Sequence, residues 1–289
     1  MIRCLPSYPI ARVEALAGGL ACRLHDGRDK HGRSRRLFTP PSRYSTGIGD
    51  EQVAPFVTST GLRFPSATAI IPALNEERSI GAVLQAMPRV VVTEIIVVDG
   101  GSTDGTAAVA AAHGATVITE RRRGYGRACA LGAVAAHGEA LVFLDADGAA
   151  DPGEIAGLLA PIARGEADLV LGSRLARELA AGAMPWHQRA GNRLSALLLQ
   201  ALYGVPLTDL GPFRAVRREL LAGMTLDDST YGWPTEMIVK AARARWRIVE
   251  VPVRCHPRTG GRSKISGTVR GTVLATLHIV GTIARHVRT

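Results

Sequence analysis

From residue 67 onward, short apolar runs alternate with amphipathic stretches. Residues 67–77 form an apolar run that ends in the turn Leu74-Asn75-Glu76-Glu77, which reads as a buried strand, and residues 79–87 follow at helical spacing. Residues 94–99 make a second strand closing on Asp99, before the turn Gly100-Gly101-Ser102-Thr103-Asp104-Gly105-Thr106. Asp104 is placed to cap the Ala-rich helix after it. A third strand is expected over 115–119, a helix over 126–136 and a fourth strand over 140–144. Strands alternating with helices predict βαβ units, an α/β fold and a mostly parallel sheet.

The fourth strand ends in Asp145-Ala146-Asp147-Gly148. Taken alone, Asp-x-Asp reads as a cap or a turn. At the carboxyl end of a parallel strand it reads differently, because ligands bind in the crevice beyond those ends and hard divalent cations prefer carboxylate oxygens and substrate phosphates. Asp99 and Asp145 are expected to face one crevice, where an aspartate can accept hydrogen bonds from a ribose hydroxyl or a base N–H. The turn holding Gly101 and Ser102 allows close approach of backbone to a ligand. Neither G-x-G-x-x-G after the first strand nor G-x-x-x-x-G-K-[ST] occurs, so the pattern is a nucleotide site without the dinucleotide fingerprint.

The ordered set Ile71-Pro72-Ala73-Leu74-Asn75-Glu76-Glu77, Val98-Asp99 with its glycine turn, and Asp145-Ala146-Asp147-Gly148 resembles the GT-A glycosyltransferases of family 2. Leu171-Gly172-Ser173-Arg174, Asp209-Leu210-Gly211-Pro212-Phe213-Arg214-Ala215 and Arg258-Thr259-Gly260-Gly261-Arg262-Ser263-Lys264 are similar to segments of the dolichyl-phosphate and polyprenyl-phosphate sugar synthases within it. The likeness runs from about residue 66 to 270. It implies a GT-A, Rossmann-like fold that binds a nucleoside-diphosphate sugar. Base and ribose contacts carry over to Pro72, Ala73, Glu76 and Asp99, with the turn at Gly101 and Ser102 beside them. Asp145 then contacts the nucleoside and shares with Asp147 the binding of Mg²⁺ or Mn²⁺, with His256 as a third metal ligand or a bystander. The resemblance also implies an inverting transfer, in which the metal neutralises charge on the leaving nucleoside diphosphate.

The second half of the chain is rich in arginine, and guanidinium forks suit phosphate. The resemblance assigns acceptor phosphate and donor diphosphate to Arg174, Arg258, Ser263 and Lys264, and Arg189 lies near the same motifs. A phosphate acceptor is already ionised near neutral pH and needs orientation more than a base. Where the resembling enzymes carry a Glu-Asp pair, this chain has Tyr231-Gly232-Trp233-Pro234-Thr235-Glu236, leaving Asp209 and Glu236 as candidates for a hydroxyl-directed base. Trp233 reads either as a sugar platform or, by the usual burial of tryptophan, as core.

The 289 residues carry a formal charge of +10, which favours anionic partners. With aromatic content of 4% and no nucleic-acid module, the partners expected are phosphorylated substrates or an anionic membrane surface, not nucleic acid. Cys4, Cys22, Cys129 and Cys255 form no CxxC pair, so neither a disulfide framework nor a zinc site is expected. Residues 1–65, rich in Pro, Ser, Gly and Arg, read as a flexible extension; a genuine segment and an upstream start both remain open. Residues 273–284 are too short an apolar run to span a bilayer, so the segment 271–289 is expected to be a helix packed on the domain or lying at a membrane interface. The expected setting is cytoplasmic, either soluble or peripheral at the inner face of the membrane.

The reading that follows is a hexosyltransferase acting on a phosphorylated acceptor, polyprenyl phosphate before a small acceptor such as a phosphoglycerate. A sugar nucleotidyltransferase is a second class, which calls for a Gly-rich, cationic loop after the first strand that this chain lacks. A non-catalytic nucleotide- or RNA-binding protein is a third, which would keep its binding after metal removal.

Overall fold

The computed structural model describes residues 26–28, 34–36, 62–176, 184–259 and 269–286. The chain divides into two compact units, Met1–Gln52 and Val53–Thr289. In the first, β1 (Asp26–Arg28) and β2 (Ser34–Arg36) pair antiparallel, with Asp26 opposite Arg36. This pair stands where the sequence pattern predicts no strand. Its three-residue strands are polar, so backbone pairing forms without the alternating apolar signature that marks longer strands.

The second unit runs β3 (Ala67–Ala73), α1 (Glu77–Gln85), β4 (Val92–Asp99), α2 (Thr106–Ala112), β5 (Thr116–Thr119), α3 (Tyr125–Ala135), β6 (Ala140–Phe143) and α4 (Ile155–Ala163). Then come β7 (Leu169–Ser173), α5 (Trp186–Tyr203), β8 (Arg214–Arg217), α6 (Arg218–Ala222), α7 (Trp233–Arg243), β9 (Ile248–Pro252) and α8 (Val269–Arg285). Seven strands form one sheet in the order β5-β4-β3-β6-β8-β7-β9. All pairs are parallel except those of β8, which runs antiparallel to β6 and β7. The mostly parallel α/β sheet expected from the sequence is therefore the one observed, and each predicted strand of its first half is present.

Strands buried on both faces explain the unbroken apolar runs. Ile71, Val97 and Leu144 join Ile80 and Leu84 of α1 and Leu158 of α4 on one side; Ile70, Val98 and Phe143 meet Cys129 of α3 and Met237 of α7 on the other. Trp233 belongs to this second layer, 2% exposed and edge-on to Phe143 at 5.1 Å, so it is core and not a sugar platform. The boundary expected at residue 66 falls inside the unit, because Phe64 is 7% exposed in the core and Leu62 packs against it. α8 packs on α5 and α7, with Tyr203 donating to the Ile283 carbonyl at 2.9 Å. Its opposite side leaves Val273, Leu274 and Leu277 exposed. Among the described residues no helix is long and apolar enough to cross a membrane.

The register brings the chemistry together. Ala73 lies opposite Asp99 and Ile70 opposite Phe143, so β3, β4 and β6 end at one edge of the sheet.

Candidate active site

The first two strand ends are stitched to each other. Asn75 takes a positive φ of 50°, from which its N–H donates to Ser102 Oγ at 2.8 Å and its Oδ1 accepts from Thr103 N at 2.8 Å. Glu76 N donates to Thr106 Oγ1 at 2.8 Å; Gly105, and not the expected Asp104, is the N-cap of α2, while Asp104 accepts from Thr106 N at 3.1 Å in the turn before it. Asp99, 4% exposed, accepts from the Ser102 N–H at 3.2 Å and from its hydroxyl. Gly101, at φ 83°, completes that turn in a conformation suited to glycine.

Beyond β6, Asp145 and Asp147 sit in different surroundings. The Tyr125 hydroxyl donates to Asp145 Oδ1 at 3.1 Å. Burial, and next the charge of Asp147, push the Asp145 carboxyl up to about 7. Burial also raises the Tyr125 phenol well above its ordinary value, which keeps it a donor. Asp147 Oδ1 accepts from Ala149 N at 2.9 Å, and its Oδ2 accepts from Arg258 Nη1 at 2.7 Å. The other arm of Arg258 reaches Glu76 Oε1 at 2.7 Å. One guanidinium thus joins the end of β3 to the end of β6. Arg258 is held there by backbone, because Thr259 N donates to the Asp147 carbonyl at 3.1 Å and His256 N to that of Ala149 at 2.9 Å. Gly148, at φ 75°, is required at this crossing, since a Cβ would overlap the Thr259 hydroxyl.

A cavity of about 730 Å³ opens over these groups. Pro72, Ala73, Glu76, Asp145, Asp147, Arg174 and Arg258, all singled out from the sequence, line it. Asp99, Gly101 and Ser102 are not among its lining residues, although Gly100 between them is. Tyr125 and Tyr231 stand beside the carboxylates with ring centroids 6.2 Å apart. The far end is walled by Gln188, Gly191 and Asn192 of α5 and by Thr272, Thr276 and Ile279 of α8. The two helices touch closely there, for a Cβ on Gly191 would lie 2.5 Å from Thr276 Oγ1, and His187 Nδ1 meets Thr272 Oγ1 at 2.9 Å.

Four expected roles are not supported by position. Asp209 is fully buried behind the lining and holds Arg174 through its backbone N–H at 3.0 Å, Nε at 2.7 Å and Nη2 at 2.8 Å. It also accepts from Asn192 Nδ2 at 2.8 Å, so this carboxylate positions a cation and α5 and is not placed as a base. Burial opposes the Arg174 charge, but the Asp209 carboxylate outweighs it and raises the arginine's pKa. Glu236, 1% exposed on α7, is outside the cavity and accepts from the N–H groups of Asp227 and Asp228 and from Lys240 Nζ at 2.6 Å. Arg189 is exposed on α5, and its neighbours Gln188 and Gly191 face the cavity in its place. His256 is exposed, and among the described residues no three His, Cys, Asp or Glu side chains gather to hold a metal. Arg262, Ser263 and Lys264 lie outside the described residues. Arg214 is buried under the site, donating to the carbonyls of Pro234 at 2.8 Å and Gly211 at 2.6 Å.

The Glu236 correction is testable. Glu236→Ala leaves the Asp227 and Asp228 N–H groups without their acceptor and removes one of the partners of Lys240, and should cost about 1–3 kcal/mol of stability through the unpaired groups. Turnover per folded molecule at low temperature should stay within a few-fold of the unmodified enzyme; a loss of turnover at unchanged melting temperature would make Glu236 a reacting group after all.

The cavity lies at the carboxyl ends of parallel strands, where open α/β sheets hold their ligands, and carboxylates and guanidinium groups line it together. The profile of glycosyl transferase family 2 matches residues 68–224, and the chain belongs to that family. It is a glycosyltransferase. It is 43% identical over 212 residues to an uncharacterised glycosyltransferase of Mycobacterium tuberculosis, across 73% of this chain and 95% of that one. The undecaprenyl-phosphate mannosyltransferase of Micrococcus luteus is 32% identical over 236 residues, across 75% of this chain and 94% of its own. Among solved structures, glucosyl-3-phosphoglycerate synthase from Mycobacterium tuberculosis, in complex with Mn²⁺, UDP-glucose and phosphoglyceric acid, superposes with a TM-score of 0.64. It is 26% identical, covering 78% of this chain and 80% of its own.

Proposed function

We propose that this enzyme is a metal-dependent, inverting transferase that moves a hexose from a nucleoside-diphosphate sugar to a polyprenyl phosphate. The observation that carries this reading is one cavity with a carboxylate pair, Asp145 and Asp147, and the guanidinium groups of Arg174 and Arg258 among its lining. The carboxylates fit Mg²⁺ or Mn²⁺. Such ions are commonly held by one or two carboxylates together with substrate phosphates, and the Asp147 charge already disfavours ionisation of Asp145, a repulsion that a divalent cation relieves. A bound cation supplies charge neutralisation for the departing diphosphate.

The chain's own residues do the rest. Pro72, Ala73 and Glu76 form the donor end of the cavity, and the Asp99 turn is tied to this strand end through the Asn75 N–H to Ser102 Oγ bond. Arg174, locked by Asp209, orients an acceptor phosphate, one of whose oxygens attacks the sugar's anomeric carbon from the face opposite the diphosphate. The new C–O bond forms as the old one breaks, and the bonding electron pair leaves with the nucleoside diphosphate. The acidic residues lining the cavity, among those described, are Glu76, Asp145 and Asp147. Glu76 and Asp147 pair with Arg258, and Asp145 accepts from Tyr125. With Asp209 and Glu236 committed elsewhere and Asp145 given to the metal, the site offers little for deprotonating an alcohol, which favours an acceptor that arrives ionised.

The lipid acceptor is favoured over a soluble one by the far end of the cavity. α5 and α8 wall it, and the same helices expose Trp186, Leu194, Leu197, Val273, Leu274 and Leu277. Apolar side chains on a protein of charge +10 suit peripheral contact with an anionic membrane, at its cytoplasmic face. The phosphoglycerate alternative draws its support from the superposing synthase. Radiolabelled donor offered with detergent-solubilised polyprenyl phosphate and, separately, with 3-phosphoglycerate decides between them. Label in the lipid phase alone is expected; label on phosphoglycerate alone would reverse the assignment.

A pH dependence follows from Asp145. Its carboxyl carries a proton below about 7 and loses it above. Metal binding must therefore expel a proton on the acid side, and Mn²⁺ affinity should fall up to about tenfold per unit below pH 7 and level off above it. Titration calorimetry in buffers of different ionisation enthalpy reads the released proton. Affinity flat from pH 5.5 to 8 would remove Asp145 from the metal's ligands.

A further inference from the structure

We propose that Arg258 is a built-in competitor of the divalent cation. It is a positioning residue that holds Asp147 and Glu76 until a metal takes Asp147, and is then released to bind phosphate. The proposal rests on the reading that Asp147 is a metal ligand.

Both oxygens of Asp147 are already engaged. Oδ1 accepts from Ala149 N at 2.9 Å within its own turn, and Oδ2 accepts from Arg258 Nη1 at 2.7 Å. A guanidinium and a divalent cation at Oδ2 repel each other and draw on the same oxygen's lone pairs, so the ion pair with Arg258 opposes metal binding. Metal binding therefore displaces the guanidinium or settles for a poorer set of lone pairs. The displaced group has somewhere to go. Arg258 lines the same cavity as Arg174, its side chain is 27% exposed, and its Nε is buried with no hydrogen-bond partner, so the guanidinium already lacks an acceptor and gains by meeting phosphate oxygens. The backbone need not follow, since Thr259 N and Oγ1 both grip the Asp147 carbonyl at 3.1 Å and His256 N grips that of Ala149. Rotation of one side chain suffices.

The functional consequence is ordered assembly. Before metal arrives, Arg258 neutralises Asp147 and Glu76 and is withheld from phosphate. Afterwards its planar fork faces the cavity, where a diphosphate or acceptor phosphate offers paired oxygens. Metal and phosphate then favour each other's binding, and the coupling is reciprocal.

The test is Mn²⁺ affinity without donor or acceptor, measured by the electron paramagnetic resonance signal of free Mn²⁺, for the unmodified protein, Arg258→Ala, Arg258→Gln and Asp147→Asn. Removing the competitor should tighten Mn²⁺ binding at least about fivefold in Arg258→Ala. Arg258→Gln, which keeps the bulk without the charge, should shift the same way and serves if the alanine variant does not fold. A side chain needed only for structure would loosen the site when removed. Equal or weaker Mn²⁺ binding by both folded variants would overturn the proposal while leaving the metal site standing. Equal Mn²⁺ binding by the unmodified protein and Asp147→Asn, or none by either, would overturn the metal reading and this proposal with it.

Discussion

Replacing Asp147 by asparagine should abolish sugar transfer and leave the fold in place. Asparagine keeps the shape and one carbonyl oxygen, so either Ala149 N or Arg258 retains its acceptor, and no core contact is lost. What disappears is the negative charge at the strand end. A cation that neutralises the leaving diphosphate contributes several kcal/mol to the transition state, so turnover should fall on the order of 10³-fold or more even with excess Mn²⁺. The thermal unfolding curve should stay within about 1 kcal/mol of the unmodified protein, the usual cost of one hydrogen bond. Turnover within tenfold of normal, or full activity in EDTA, would take the metal out of the mechanism.

Asp209→Ala should be the most damaging change to stability near the site. The carboxylate is completely buried and carries three donors from Arg174 and one from Asn192. Without it the largely buried guanidinium keeps its desolvation cost and loses its partner, and breaking such a pair from one side costs about 3–5 kcal/mol. Function should suffer independently in whatever fraction stays folded, because Arg174 is no longer fixed over the cavity and Asn192 no longer ties α5 to it. The expected signature in steady-state kinetics is a large rise in acceptor KM with a smaller fall in kcat. An unchanged melting temperature with a collapse of kcat alone would instead describe a general base.

Much of this site was legible because its first half is local. β3, β4 and β6 are apolar runs that end in polar turns, and in a parallel sheet the strand ends are where the ligand sits, so Asp145 and Asp147 could be placed by counting along the chain, while Pro72, Ala73 and Glu76 came from the family resemblance. The misplaced residues share a different property. Asp209, Glu236, Arg189 and His256 sit in segments whose side-chain direction depends on packing between distant elements, and spacing alone does not say whether a carboxylate faces a cavity or an arginine behind it. Tyr125 escaped notice for the same reason. It begins α3 and meets Asp145 only because the Gly126 and Arg127 N–H groups donate to the carbonyls of Thr230 and Ser229, which sets α3 against the loop carrying Tyr231. The glycine pair at 124 and 126 was the available signal, since a Cβ at Gly126 would collide with the Asp228 carbonyl. The part played by α8 as a cavity wall was hidden because the segment looked apolar along its whole length, whereas Thr272 and Thr276 turn inward and Leu274 and Leu277 outward.

In the proposed reaction, phosphate supplies both the anchor and the nucleophile. The most direct measurement offers the unmodified enzyme one polyprenol in two forms, phosphorylated and free, each with labelled nucleoside-diphosphate sugar and with Mn²⁺ either present or removed by EDTA. Label should enter lipid only where phosphate and Mn²⁺ are both present, with the free alcohol almost inert. Comparable rates on the alcohol and its phosphate would contradict the account and require a base that these residues do not supply.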